Sequence, residues 1–160
     1  MKRLWAPWRM AYVAGSRAPG GCVFCTALNA GDDRAQLVLL RGAHGFLILN
    51  AYPYAAGHLL AVVDRHIATL AEATPGELTD LMALVTRATA LLAAEYGAQG
   101  FNVGLNQGHA AGAGIEDHLH MHVVPRWSGD ANFLAVVGET RVLPEALEVT
   151  YDRLKGRLHD

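Results

Sequence analysis

Residues 117–125 read DHLHMHVVP, with imidazoles at 118, 120 and 122 and apolar residues at 119, 121 and 123. Strict alternation belongs to an extended chain, because successive side chains of a strand point to opposite faces. His118, His120 and His122 are therefore expected on one side, roughly 6–7 Å apart, with Leu119, Met121 and Val123 entering a core on the other. A helix does not fit the pattern: His120 would turn about 200° away from His118. Val123, Val124 and Pro125 also favour extended backbone. A strand that is apolar on one face and carries three imidazoles on the other needs a sheet around it.

The remaining strands are legible. Runs at Leu37–Leu40, Phe46–Asn50, His58–Val63, Phe101–Asn106 and His118–Pro125 are each bounded by Gly, Pro, Asn or Asp and read as about five strands. Between the third and fourth lies the clearest helix. Thr74 caps it, Pro75 suits its first position and Glu77 completes a T-x-x-E box. Leu78, Leu81, Met82, Val85, Ala88 and Leu92 then keep the helical period until Tyr96–Gly97. A second helix is expected from Pro144, with Leu147, Tyr151, Leu154 and Leu158 on one stripe. The pattern predicts an α+β fold, a largely antiparallel sheet of about five strands with flanking helices. At 160 residues the chain is expected to form one domain over 1–160, with an N-terminal extension over about 1–20 and a C-terminal helical segment over about 143–160.

Composition removes several function classes. Only 13 Lys+Arg stand against 15 Asp+Glu, for a net charge of −2, so no broad positive field is available for nucleic acid. Any phosphate chemistry must rely on backbone N–H groups, histidines and a few placed side chains. No run approaches the roughly 18 apolar residues that would span a bilayer, which argues against a membrane partner. The opening MKRLWAPWRMAYV is interrupted by Pro7 and Arg9 and does not read as a signal peptide. A cytoplasmic protein is expected. There, the C-V-F-C of Cys22 and Cys25 suggests half a metal site or a redox pair rather than a structural disulfide.

Three chemistries suit the histidine run: satisfied surface imidazoles, a catalytic zinc held by all three, or a histidine nucleophile directed at phosphorus. The preceding segment 104–114, GLNQGHAAGAG, helps to choose. Its glycines at 104, 108, 112 and 114 allow close backbone approach, and their N–H groups suit anionic oxygens. No Gly-Lys-Ser/Thr follows, so the loop is not a Walker motif. Alone it is also an ordinary connection; directly before three aligned histidines it reads as a phosphate cradle beside a nucleophile.

The motif His118-Leu-His120-Met-His122-Val-Val resembles the His-φ-His-φ-His-φ-φ signature (φ apolar) of the histidine triad, or HIT, superfamily of nucleotidyl hydrolases and transferases. Asn50 with Pro53, Gly57 and His58 is similar to the family's ribose-contacting strand and turn, and Asn106, Gly108, Ala111 and Gly112 to its phosphate loop. LWAPWRMAYV, CVFC and VVPRWSGDANF most resemble the bacterial diadenosine polyphosphate phosphorylase branch. The resemblance implies that His120 is the nucleophile toward the α-phosphorus, that His118 orients it and that His122 donates to a phosphate oxygen. It also implies contacts from Asn50 to the ribose and from Asn106, Gln107, Gly112 and Gly114 to substrate. The expected reaction is phosphorolysis of diadenosine tetraphosphate to ATP and ADP through a nucleotidyl-histidine. The alternatives are a hydrolase of dinucleoside polyphosphates or phosphoramidates, and a nucleotide-binding sensor without turnover. One departure bears on this choice: relatives often carry a hydroxyl after the A-G pair, where this chain has Ala113-Gly114-Ile115.

The resemblance further implies a structural zinc on Cys22, Cys25, His66 and His118, no organic cofactor, inorganic phosphate as co-substrate and a homodimer, with helix 75–96 a possible interface. Trp5, Trp8 and Arg9 read as packing or base-stacking groups, and Phe24 and Leu28 as core or an adenine pocket. His44, His109 and His159 receive no role, although His109 lies in the glycine loop near a distal phosphate.

Overall fold

The computed structural model describes residues 21–130 and 145–158. Trp5, Trp8, Arg9 and His159, with the expected 1–20 extension, lie outside them. Its strands are β1 (Val38–Arg41), β2 (Gly45–Leu49), β3 (Leu59–Val63), β4 (Gly100–Gly104) and β5 (His120–Arg126). They form a five-stranded sheet in the order β1-β2-β3-β5-β4, every neighbouring pair antiparallel. The α+β expectation and all five strands are found, with ends displaced by one or two residues. The last strand begins at His120 rather than His118, because Leu119 N–H bonds Ile67 O (2.6 Å) instead of continuing the ladder with β3.

Among the described residues three helices surround the sheet: α1 (Val23–Asn29), α2 (Pro75–Tyr96) and α3 (Leu147–Arg157). Helix α2 begins as its sequence dictates. Thr74 Oγ1 accepts from Glu77 N–H, and Glu77 Oε2 accepts from Thr74 N–H at 2.7 Å. Gly97 ends the helix in the left-handed conformation at φ 59°. The buried Glu77 carboxylate is also gripped by Arg65 at 2.6 and 2.7 Å, and that guanidinium, aided by the Thr74 N–H, holds its pKa down at about 2.

Side chains alternate between the two faces of the sheet. Leu47 and Leu49 of β2, Leu59, Ala61 and Val63 of β3, and Leu119 and Val123 join Leu81, Leu84, Ala88 and Leu92 of α2 in the main core. The intervening Phe46, Ile48, Leu60 and Val62 pack with Phe24 and Ala27 of α1 on the opposite face. Met121 lies half-buried against the main core. His120 and His122, the intervening residues at the start of β5, take the α1 face with His118 just before them, and Phe24 packs on the rings of His118 and His120. Helix α3 covers β1, where Tyr151 Oη donates to Val38 O and Lys155 Nζ to Leu39 O.

Helix α1 has no counterpart in the sequence expectations. It is seven residues long, and its N-cap Cys22 makes no side-chain capping bond. The short helix therefore carries none of the usual boundary signals.

Candidate active site and metal cluster

The surroundings of the three imidazoles place the proton on Nδ1 of His120 and on Nε2 of both His118 and His122. His120 is buried, and its Nδ1 lies 2.7 Å from the carbonyl oxygen of His118. A carbonyl only accepts, so Nδ1 carries the proton and Nε2 the lone pair. No described residue hydrogen-bonds that Nε2. Sequence reasoning has His118 orienting His120; the structure does this through the peptide carbonyl rather than the ring. The His120 ring sits between Phe24 (5.0 Å between centroids) and His122 (5.2 Å).

His118 has the opposite pattern. Its Nε2–H donates to Val63 O at 2.6 Å, leaving the Nδ1 lone pair directed toward Cys22 Sγ (3.2 Å), Cys25 Sγ (3.6 Å) and His66 Nδ1 (3.3 Å). Cys25 Sγ lies 3.4 Å from His66 Nδ1. All four ligand atoms lie within 4.8 Å of one another. A tetrahedral zinc with N ligands near 2.0 Å and S ligands near 2.3 Å requires separations of roughly 3.3–3.8 Å between ligand atoms. The Cys₂His₂ group fits. Residues 96 positions apart in sequence converge here because α1 lies against the start of β5. Burial, followed by the neighbouring Cys22, pushes the Cys25 thiol up.

His122 is controlled from the other side by His58, which the resemblance places only in the ribose-contacting strand and turn. Tyr54 N–H donates to His58 Nδ1 (3.1 Å), which puts the His58 proton on Nε2. That Nε2–H in turn donates to His122 Nδ1 at 3.0 Å, so the proton of His122 sits on its own Nε2. Asn50 braces the start of this relay. Its Nδ2 lies 3.3 Å from His58 Nδ1 and its Oδ1 accepts from Tyr52 N–H at 2.9 Å. The Asn50 amide is thus largely engaged within the protein, a use not foreseen beside the expected ribose contact. Gly57 positions His58: its φ is +76°, and any side chain there would run into Leu92 of α2. The only sequence signal for His58 was its place in the Gly57-His58 pair.

Burial is the leading cause by which all four imidazoles are held below their ordinary range. His58, fully buried and next to His122 and His120, is lowered to about 3, and His122 to about 4. His118 and His120 are lowered as well. Near neutral pH the rings are uncharged, which preserves the lone pair on His120 Nε2 and the N–H on His122 Nε2.

The glycine-rich segment connects β4 to β5, and Gly104 pairs directly with His122. Gly108 and Gly112 adopt φ +82° and +81° around a short 3-10 turn at His109–Ala111. Asn106, Gly112 and Gly114 are exposed. Gln107 is also exposed, but its Oε1 accepts from Leu70 N–H at 3.0 Å, which ties the loop to the segment before α2. Ile115 packs against the cluster containing Phe24, so the loop is seated on the same face as His120. His109 and Glu116 bridge the loop's two ends at 2.7 Å.

Among known proteins, the HIT domain family matches residues 34–129. An AP-4-A phosphorylase of Mycobacterium tuberculosis is 40% identical over 157 residues, covering 94% of this chain and 80% of that protein. An asymmetrical bis(5'-nucleosyl)-tetraphosphatase of Schizosaccharomyces pombe is 33% identical over 82 residues, 51% of this chain and 44% of that protein. Among solved structures, a zinc-bound histidine triad family protein of Mycobacterium smegmatis superposes with a TM-score of 0.71 at 26% identity, covering 91% of this chain and 96% of the other.

Proposed function

Since the chain belongs to the HIT domain family, we propose that it is an enzyme of diadenosine polyphosphate processing, a nucleotidyltransferase that uses His120 as its nucleophile. The observation that carries this is the Nδ1–H bond from His120 to the His118 carbonyl, which leaves Nε2 as the attacking atom. Nε2 forms a bond to the α-phosphorus of diadenosine tetraphosphate while the bond from that phosphorus to the bridging oxygen breaks. ATP leaves, and an adenylyl group stays on the ring. Inorganic phosphate then attacks the same phosphorus, releasing ADP and restoring the imidazole; water in its place gives AMP. Two displacements replace one, each with a positioned nucleophile or leaving group.

The other groups act on charge and position. His122 Nε2–H, held in that tautomer by His58, donates to a non-bridging oxygen as negative charge accumulates. Loop N–H groups around Gly112 and Gly114, with Asn106 and the amide of Gln107, receive the phosphate chain, and Asn50 the ribose. Cys22, Cys25, His66 and His118 are read as the holders of a structural zinc, which when bound fixes the peptide whose carbonyl orients His120. The same reading takes phosphate as acceptor and a cytoplasmic homodimer as the working form. No helix of the described residues is long and apolar enough to cross a membrane.

The test is incubation with diadenosine tetraphosphate with and without phosphate, the products being separated by ion exchange. ADP and ATP that form only with phosphate are expected. AMP formed at equal rate in either buffer selects the hydrolase, the reading that the tetraphosphatase relative favours. No product at all overturns the enzyme.

A further inference from the structure

The two cysteines are spaced as C-x-x-C at the start of α1, the spacing of thiol–disulfide redox pairs. Their cluster is graded in exposure: His118 is buried, both cysteines are half-buried and His66 is exposed. On the outer side, among the described residues, Cys22, Cys25 and His66 line an open depression of about 460 Å³, with room for a small oxidant. On the inner side the same turn reaches the nucleophile by two short routes. Phe24, between the cysteines, packs against the rings of both His118 (5.3 Å) and His120 (5.0 Å). His118, facing the sulfurs through Nδ1, holds His120 Nδ1–H through its carbonyl.

We propose that Cys22 and Cys25 form a reversible oxidation site, which a hydroperoxide converts to a disulfide with loss of the metal and slowing of turnover at His120. One thiolate attacks a peroxide oxygen, the O–O bond breaks, and a sulfenic acid forms as hydroxide (or, from an organic peroxide, alkoxide) departs. The second thiolate attacks that sulfur, an S–S bond forms and a second hydroxide leaves; solvent protonates both. The sulfurs lose two electrons in all and the peroxide gains two. Only His66 and His118 then remain as ligands, too few to hold a tetrahedral ion. Drawing the sulfurs together from their separation in the cluster to about 2.0 Å also reshapes the turn that presents Phe24.

The metal-release part rests on the zinc reading above, whereas the oxidation does not. The full-length protein is assayed for zinc as purified, then titrated with hydrogen peroxide. Intact mass, zinc captured by a chromogenic chelator and turnover are followed together. Expected are a mass loss of about 2 Da, release of about one zinc per chain in step with it, and a fall in turnover of about tenfold or more, all reversed by dithiothreitol with added zinc. Protein purified without zinc removes the metal reading alone, since mass and reversibility still decide the oxidation. Thiols that stay reduced while turnover falls, or a disulfide that leaves turnover intact, overturn the proposal. Cys25→His keeps four ligating side chains without a second thiol. It is expected to retain its zinc, and whatever activity it starts with, under the same peroxide; loss matching the wild type also overturns the proposal.

Discussion

His118 and His122 flank the same ring, two residues to either side, yet their surroundings give them different work. At His118 a backbone carbonyl accepts a hydrogen bond from Nε2–H, and the Nδ1 lone pair meets two sulfurs and a second imidazole. At His122 a buried imidazole, His58, fills Nδ1, so the proton remains on Nε2. The upstream ring turns its lone pair into a cluster of four groups that could hold a metal ion, and the downstream ring offers an N–H. Identical side chains in identical sequence spacing thus take their chemistry from which ring nitrogen the fold leaves unpaired.

The sharpest break of this comparison is the ring between the two. His120→Ala is expected to lower turnover of diadenosine tetraphosphate by about 10⁴-fold or more while AMP binding, measured by calorimetry, changes little. Next comes the downstream relay. His58→Ala leaves His122 without its donor, and a fall in kcat of about 10–100-fold is expected with a smaller change in KM; an unchanged kcat refutes the tautomer assignment. Third is acid sensitivity. His58 and His122 titrate at about 3 and about 4 in the fold against 6.5 unperturbed, so the unfolded chain binds protons first as pH falls. Their contribution is complete above about pH 6.5 and is lost progressively toward pH 4 and 3. A fall in Tm of about 5–10 °C between pH 7 and 5 is expected, with a shallower slope in His58→Asn. The Glu77 carboxylate works in a separate window, complete above its ordinary range near 4.5 and lost toward about 2. The smallest effect lies farthest from the comparison: Thr74→Ala removes the α2 cap and costs about 1 kcal/mol in urea unfolding, with kcat unaffected.

Much of the fold was legible because two periods dominate the chain. The alternation at 118–123 and the T-x-x-E and Gly97 boundaries of α2 each follow from local chemistry, and the structure retains them. What was hidden depends on long-range closure. The approach of Cys22 to His118 spans 96 residues, and spacing alone leaves a C-x-x-C with half a ligand set, the family resemblance having supplied His66 and His118. The role of His58 depends on β3 pairing with β5, which places Leu60 opposite His122 and His58 beside it. Local pattern carries no information on that register. Gln107 shows the same limit: its residue type suits a substrate contact, but its carbonyl is turned to Leu70 by the path of the loop.

The acceptor that fixes the ring at position 120 is a main-chain atom, and every amino acid supplies the same one. A lineage that trades away the imidazole at 118 gives up one of the four clustered ligand groups yet keeps that anchor, so the two features are separable by inheritance. Any metal bound by that cluster would be an addition to the attacking group and not a part of it.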